Sequence, residues 1–155
     1  MPAHLQPVAH SLLQSGEEIE TLLAGASMEE IWRSDGSAAS VGFHILHAMG
    51  SLDRLFTYAR GASLSEAQRQ ALAQESDPNP RLSPDDLLSG FAAAVQDAIN
   101  QLRGTSKTTL IDVRHVGRAR LPSTVVGLMF HAAEHTQRHV GQAITTSKLM
   151  KRASS

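Results

Sequence analysis

The stretch that most constrains this chain is its last quarter. No proline occurs after Pro122, and Val125, Leu128, Met129, Ala132, Val140, Ala143 and Met150 gather on one side of a helical wheel. Pro122-Ser123 is expected to open a helix that ends near Met150, a rod about 40 Å long at 1.5 Å per residue. A rod that long with one apolar stripe needs other helices to cover it. The rest of the sequence offers them. Pro7 to about Ala24 carries Leu12, Leu13, Ile19, Leu22 and Leu23 near helical spacing, with Gly25 as a stop. A second helix is expected after the turn Ser34-Asp35-Gly36-Ser37, running to Arg60 with Gly61 just past its end. Ser65 to Glu75 reads as a short helix, and Asp77-Pro78-Asn79-Pro80 as a loop. Ser83-Pro84-Asp85-Asp86 is a cap, a first-turn proline and two acidic residues, opening a helix that carries Leu87, Leu88, Phe91, Val95, Ile99 and Leu102 and stops near Gly104.

Thr105 to Leu121 looks irregular or weakly extended, and Lys151 to Ser155 a frayed tail. The expected fold is therefore all-α: a four-helix bundle with long middle connections and one short extra helix. The long connections argue against strict up-down-up-down order. With 155 residues, one domain spanning 1–155 is the expectation. The N-terminus lacks a basic region followed by an apolar run, and no stretch approaches 18 apolar residues. A cytoplasmic protein without a membrane segment is expected. A net charge of −1 and 4% aromatic residues leave neither the basic surface nor the stacking platform of a nucleic-acid binder.

Eight histidines stand beside zero cysteines. Disulfides, thiolate zinc sites, a cysteine nucleophile and a C-x-x-C redox pair are excluded, so any transition metal must be held by imidazole and carboxylate. His131, His135 and His139 lie four residues apart on the last helix, on successive turns of one side. Two histidines so spaced can reach one ion. The H-E-x-x-H protease pattern is absent, because Thr136 follows His135. On the wheel His139 lies roughly 40° from the centre of the apolar face, His135 roughly 80° and His131 roughly 120°. The first two sit at the border of the buried face, while His131 tends to solvent. The same spacing also fits an ordinary solvated face.

On the second helix Val41, Ile45, Ala48, Leu52, Leu55, Phe56 and Ala59 form the apolar stripe. His47 lies off it, in line with Ser40, Ser51, Arg54 and Tyr58. That line fits a polar cavity and equally a solvent face, and periodicity does not choose His47 over His44.

These segments carry a resemblance. Ser40-Val41-Gly42-Phe43-His44-Ile45-Leu46-His47 with Gly50-Ser51-Leu52-Asp53-Arg54-Leu55 resembles the second helix of the DinB/YfiT-like family, which is unrelated to the polymerase sharing its name. Glu134-His135-Thr136-Gln137-Arg138-His139-Val140-Gly141-Gln142 is similar to that family's H-x-x-x-H-x-G-Q signature. The likeness covers most of the chain and implies a divalent metal held by His47, His135 and His139. It is this likeness that selects His47. Nickel or zinc would be favoured, with iron or manganese possible occupants.

Three imidazoles would leave coordination positions open, as catalytic sites do. The family includes enzymes that use small-molecule thiols such as mycothiol, bacillithiol or glutathione, so the resemblance implies a thiol cosubstrate activated for transfer to an electrophile or for isomerisation. His44, Arg54 and Tyr58 are the substrate-side candidates: Arg54 could pair with a substrate carboxylate, though a salt bridge explains it as well. Gln142 is a candidate to orient a ligand. Val116-Gly117-Arg118 and His115 stand in the stretch before the last helix, where Arg118 could meet substrate or simply be solvated. Val126, Phe130 and Ile144 form a second apolar stripe that suits either a homodimer or packing under the long loop. Three functions compete: a metal-dependent thiol transferase or isomerase acting on a small molecule, a non-catalytic stress-related metal-binding or interaction protein, and a helical interaction module whose histidines are incidental.

Overall fold

In the computed structural model, which describes residues 1–34, 36, 38–75 and 82–153, side-chain caps set most of the helix starts. A 3-10 turn over Ala3–Leu5 leads into α1, Gln6–Leu23, with Pro7 in its first turn. Gly25, at φ 70°, then turns the chain. A second short helix follows that the sequence reading did not anticipate: α2, Met28–Trp32. Ser27 and Glu30 cap it reciprocally, the Ser27 hydroxyl accepting the Glu30 amide at 3.2 Å and the Glu30 carboxylate the Ser27 amide at 2.8 Å.

The next helix, α3, is Val41–Ala59 and starts later than the expected turn, because Ser40 caps it by accepting the amide of Phe43. Asp35 and Ser37 of that turn lie outside the described residues, as does the loop Asp77-Pro78-Asn79-Pro80. At the far end Gly61, at φ 77°, lets its own amide reach Tyr58 O at 2.8 Å and the Ala62 amide reach Thr57 O at 3.2 Å, so the last carbonyls are satisfied. Helix α4, Glu66–Gln74, and helix α5, Pro84–Gly104, begin on Ser65 and Ser83, each in a reciprocal cap with Gln68 and Asp86.

Between α5 and the last helix the stretch expected to be irregular or weakly extended is in part extended: a 3-10 turn over Lys107–Thr109 precedes an antiparallel hairpin of β1, Val113–Val116, and β2, Leu121–Thr124. Pro122, expected to open the helix, instead pairs with His115 in β2, and helix α6 runs Val125–Ala153. Thr124 takes over the cap, its hydroxyl accepting the amide of Gly127 at 3.1 Å. Of the expected frayed tail, Lys151 and Arg152 instead form the last turn of α6, and Ser154 and Ser155 lie outside the described residues.

Side-chain contacts give the helix directions. His47 meets His135 and His44 meets His139, so α3 and α6 run antiparallel. Met49 lies against Gly90, and Gln101 bonds to Phe56 O, so α3 and α5 run parallel. Gln137 on α6 reaches Ser11 O on α1, and Ile144 lies beside Leu22 further along, so these two are parallel as well. The order is up-down-down-up, made possible by the long crossover that carries α4. Leu12 and Ile19 of α1, Ile45 and Leu52 of α3, Phe91 and Leu102 of α5, and Met129 and Val140 of α6 are fully buried at the centre. Each such side chain stabilises the fold by about 1.5–3 kcal/mol relative to exposure. No helix among the described residues is long and apolar enough to cross a membrane.

Helix α2 joins this core through the buried Ile31 and is fixed further by its aromatic end. The ring of Trp32 lies flush on Gly42, where a Cβ would come within 2.6 Å of the indole, and Trp32 Nε1 donates to Leu82 O at 3.0 Å.

Candidate metal centre

The antiparallel contact of α3 with α6 brings three histidines together at mid-bundle. His47, His135 and His139 each offer a ring nitrogen, and the three atoms lie within 4.8 Å of one another, all half-buried. Ring centroids stand 4.5 Å apart for His47 and His139, 4.6 Å for His135 and His139, and 5.2 Å for His47 and His135. His135 and His139 reach the spot because both sit on the edge of α6 facing α3, one turn apart. His131, one turn earlier, is exposed and pairs with Glu134 at 3.2 Å, as the wheel predicts.

Several neighbours support the cluster. His47 Nδ1 lies 2.7 Å from Glu75 Oε2. A carboxylate only accepts, so this nitrogen carries a hydrogen, and in the neutral ring Nε2 is then the atom with the lone pair. That Nε2 is 3.1 Å from His135 Nε2 and 3.4 Å from Ser51 Oγ. The ring of Phe43 stacks on His47 with planes 9° apart. His44, buried on α3, places Nδ1 3.1 Å from Nδ1 of His139. Arg54, also buried, donates to Glu75 Oε1 at 2.5 Å and to Ser51 Oγ at 3.2 Å. A substrate carboxylate would have to compete with Glu75 for it.

Other candidates lie elsewhere. Gln142 is on the exposed side of α6. Tyr58 is near the far end of α3, in the wall of a separate pocket with His115 and Arg120, and Arg118 is exposed in the hairpin loop. Glu75 is the participant that sequence reasoning missed. Its one signal is an acid at a helix C-terminus, where the helix dipole disfavours negative charge unless a partner compensates.

Burial pushes the imidazoles of His44 and His135 below the ordinary histidine range, helped by the like charge of His47 and, for His135, of His131 and Arg138. His139 is lowered to about 4, again by burial first and then by the charges of His47, His135, His44 and Arg138. Neutral rings present lone pairs, which is the state a metal needs. The spacing of His47 and His135 fits as well. For bonds of about 2.0–2.1 Å, donor atoms stand about 2.9 Å apart along an octahedral edge and about 3.3 Å along a tetrahedral one. The 3.1 Å between His47 and His135 falls between these values. His47, His135 and His139 are therefore a donor set that could hold one divalent ion.

Beside the cluster a cleft of about 690 Å³ opens between α3, α4 and α5, walled by Leu46, Met49, Gly50, Ala94 and Glu75 among others. None of the three histidines lines it. Glu75 belongs both to this wall and to the hydrogen bonds of His47.

Comparison with known proteins gives a family and a fold. Residues 11–143 match the family model described as the DinB superfamily. No curated protein matches the chain. Among solved structures, a protein from Enterococcus faecalis, described only as a conserved protein, superposes with a TM-score of 0.76 at 20% identity, over 96% of this chain and 97% of its own. That likeness speaks for the fold alone, and it agrees with the all-α bundle.

Proposed function

Because the chain belongs to the DinB superfamily, we propose that His47, His135 and His139 hold one divalent transition ion, and that the protein uses it to activate a small-molecule thiol for attack on an electrophile or for isomerisation. The observation that carries this reading is the convergence of three imidazole nitrogens within 4.8 Å. Three neutral nitrogens suit nickel or zinc, and take iron or manganese less tightly. A divalent ion bound there supplies Lewis acidity, which lowers the pKa of a thiol or water that reaches it.

The protein's own residues do the rest. Glu75 orients His47, His44 backs His139, and the Phe43 ring keeps water off one face of His47. The chain has no cysteine, so the reactive sulfur comes with the cosubstrate. The proposal sets the activity in the cytoplasm, where such thiols stay reduced. It also sets it in a homodimer, with Phe130, 63% exposed on α6, as an apolar contact. Val126 and Ile144, the other members of that stripe, are already packed partly against the core.

A second reading has one observation in its favour. The ion pair of Arg54 with Glu75 occupies the cation expected to anchor a substrate carboxylate. This favours a non-catalytic, stress-related metal-binding protein of the same fold. Metal analysis of untagged protein, followed by incubation of the zinc and nickel forms with mycothiol, bacillithiol or glutathione and monochlorobimane, separates the readings. One ion per chain, lost in His135→Ala, and metal-dependent conjugation are expected. Stoichiometric binding without turnover on any thiol supports the non-catalytic reading. No metal uptake at all overturns the centre.

A further inference from the structure

Glu75 follows the last residue of α4, yet its side chain is only 9% exposed. A carboxylate withdrawn that far from water must be compensated. It is, from two sides: His47 Nδ1 at 2.7 Å on one oxygen and Arg54 Nη1 on the other. Gly50 makes room for this arrangement. A Cβ at that position would stand 2.4 Å from Glu75 Oε1 and 2.7 Å from Arg54 Nη1, so any larger residue makes these two side-chain tips shift from their present contact.

Helix α4 itself buries none of its residues. Polar ties from α4 and its end to α3 include Gln68, which donates to Asp53 Oδ2 at 2.7 Å and Thr57 Oγ1 at 2.8 Å, and Glu75. The end of α4 is thus docked through the same carboxylate that touches His47.

We propose that Glu75 is a positioning residue: it fixes the Nδ1–H tautomer of His47, and through it metal occupancy is coupled to the docking of α4 on α3. The inference rests on the reading of His47 as a ligand. An ion held by His47 through Nε2 would draw electron density from the ring, make Nδ1–H a stronger donor and so tighten its bond to Glu75. Coupling is reciprocal: if the ion stabilises the docked α4, the docked α4 strengthens ion binding by the same factor.

Three measurements test this. In metal-free protein, nitrogen-15 NMR of the histidine rings should show His47 in the Nδ1–H form, and Glu75→Ala should shift it toward Nε2–H. Zinc affinity, measured by competition with a chromophoric chelator, should fall about 10- to 100-fold in Glu75→Ala. Zinc should slow amide exchange over residues 66–74 in the parent protein and leave it unchanged in the variant. Gly50→Ala is the second variant. Alanine favours a helix interior over glycine, so a loss of affinity and the same tautomer shift there would trace to the displaced carboxylate rather than to a damaged helix.

Unchanged tautomer and affinity in both variants would overturn the proposal, as would equal zinc protection of α4 with and without Glu75. If the parent protein binds no zinc, the metal reading and the coupling both fail, while the tautomer in metal-free protein still decides whether Glu75 sets His47.

Discussion

Acidification of the metal-free protein should cost stability in a way that traces to His139. Its folded pKa is lowered to about 4, mainly by burial, against about 6.5 in an unfolded chain. Above pH 6.5 the ring is neutral in both states and the full stability is present. Below it the unfolded chain takes up a proton that the folded chain refuses until about pH 4, so stability falls across that window. The gap corresponds to at most about 3.4 kcal/mol at 1.36 kcal/mol per pH unit. The ring is only half-buried, and solvent screening reduces the expected loss to about 1–2 kcal/mol. Urea unfolding of chelator-treated protein between pH 7.5 and 4.5, beside His139→Gln, measures it. His44 and His135 shift in the same direction but are present in both proteins, as are the carboxylates lowered by their caps and pairs. The difference between the two profiles therefore isolates His139. Profiles that run parallel would refute the argument that burial holds this imidazole neutral.

Two further outcomes are expected. Gly42→Ala should push the indole of Trp32 off α3 and break its bond to Leu82 O; the chain has one tryptophan, so its emission should move to the red, with stability falling by about 1–3 kcal/mol, the usual cost of overpacking. Phe130→Ser should convert a dimer to a monomer in light scattering with little change in unfolding midpoint, because that ring is exposed in the single chain; an unchanged mass would exclude Phe130 from any dimer contact.

What the sequence made legible follows the length of each signal. The four long helices repeat their apolar stripe over several turns, and Ser65, Ser83 and Gly61 punctuate them where the structure does. Helix α2 spans five residues, too few for a period to show, although Ser27 and Glu30 spell its cap. Four-residue strands with a proline in one of them hide the hairpin in the same way. At the site, spacing placed His135 and His139 on one edge of α6, but the wheel could not rank His44 and His47, because both border the helix contact. The family likeness ranked them, and the structure brings His47 into the ring cluster with His44 behind it. Glu75 had only its unfavourable place at a helix end to mark it, because its partners lie 21 and 28 residues away on another helix.

The histidines of the cluster come from distant parts of the chain: His47 and His135 are 88 positions apart. Joining such points in an unfolded chain costs about 4 kcal/mol of closure entropy. The pair on α6 alone offers only two of the three donors, so an early folding fragment has little with which to retain an ion. Assembly of α3 against α6 must precede any loading. An ion bound at the proposed centre would act as a clasp across the two ends of the sequence, slowing unfolding while leaving the rate of folding nearly unchanged.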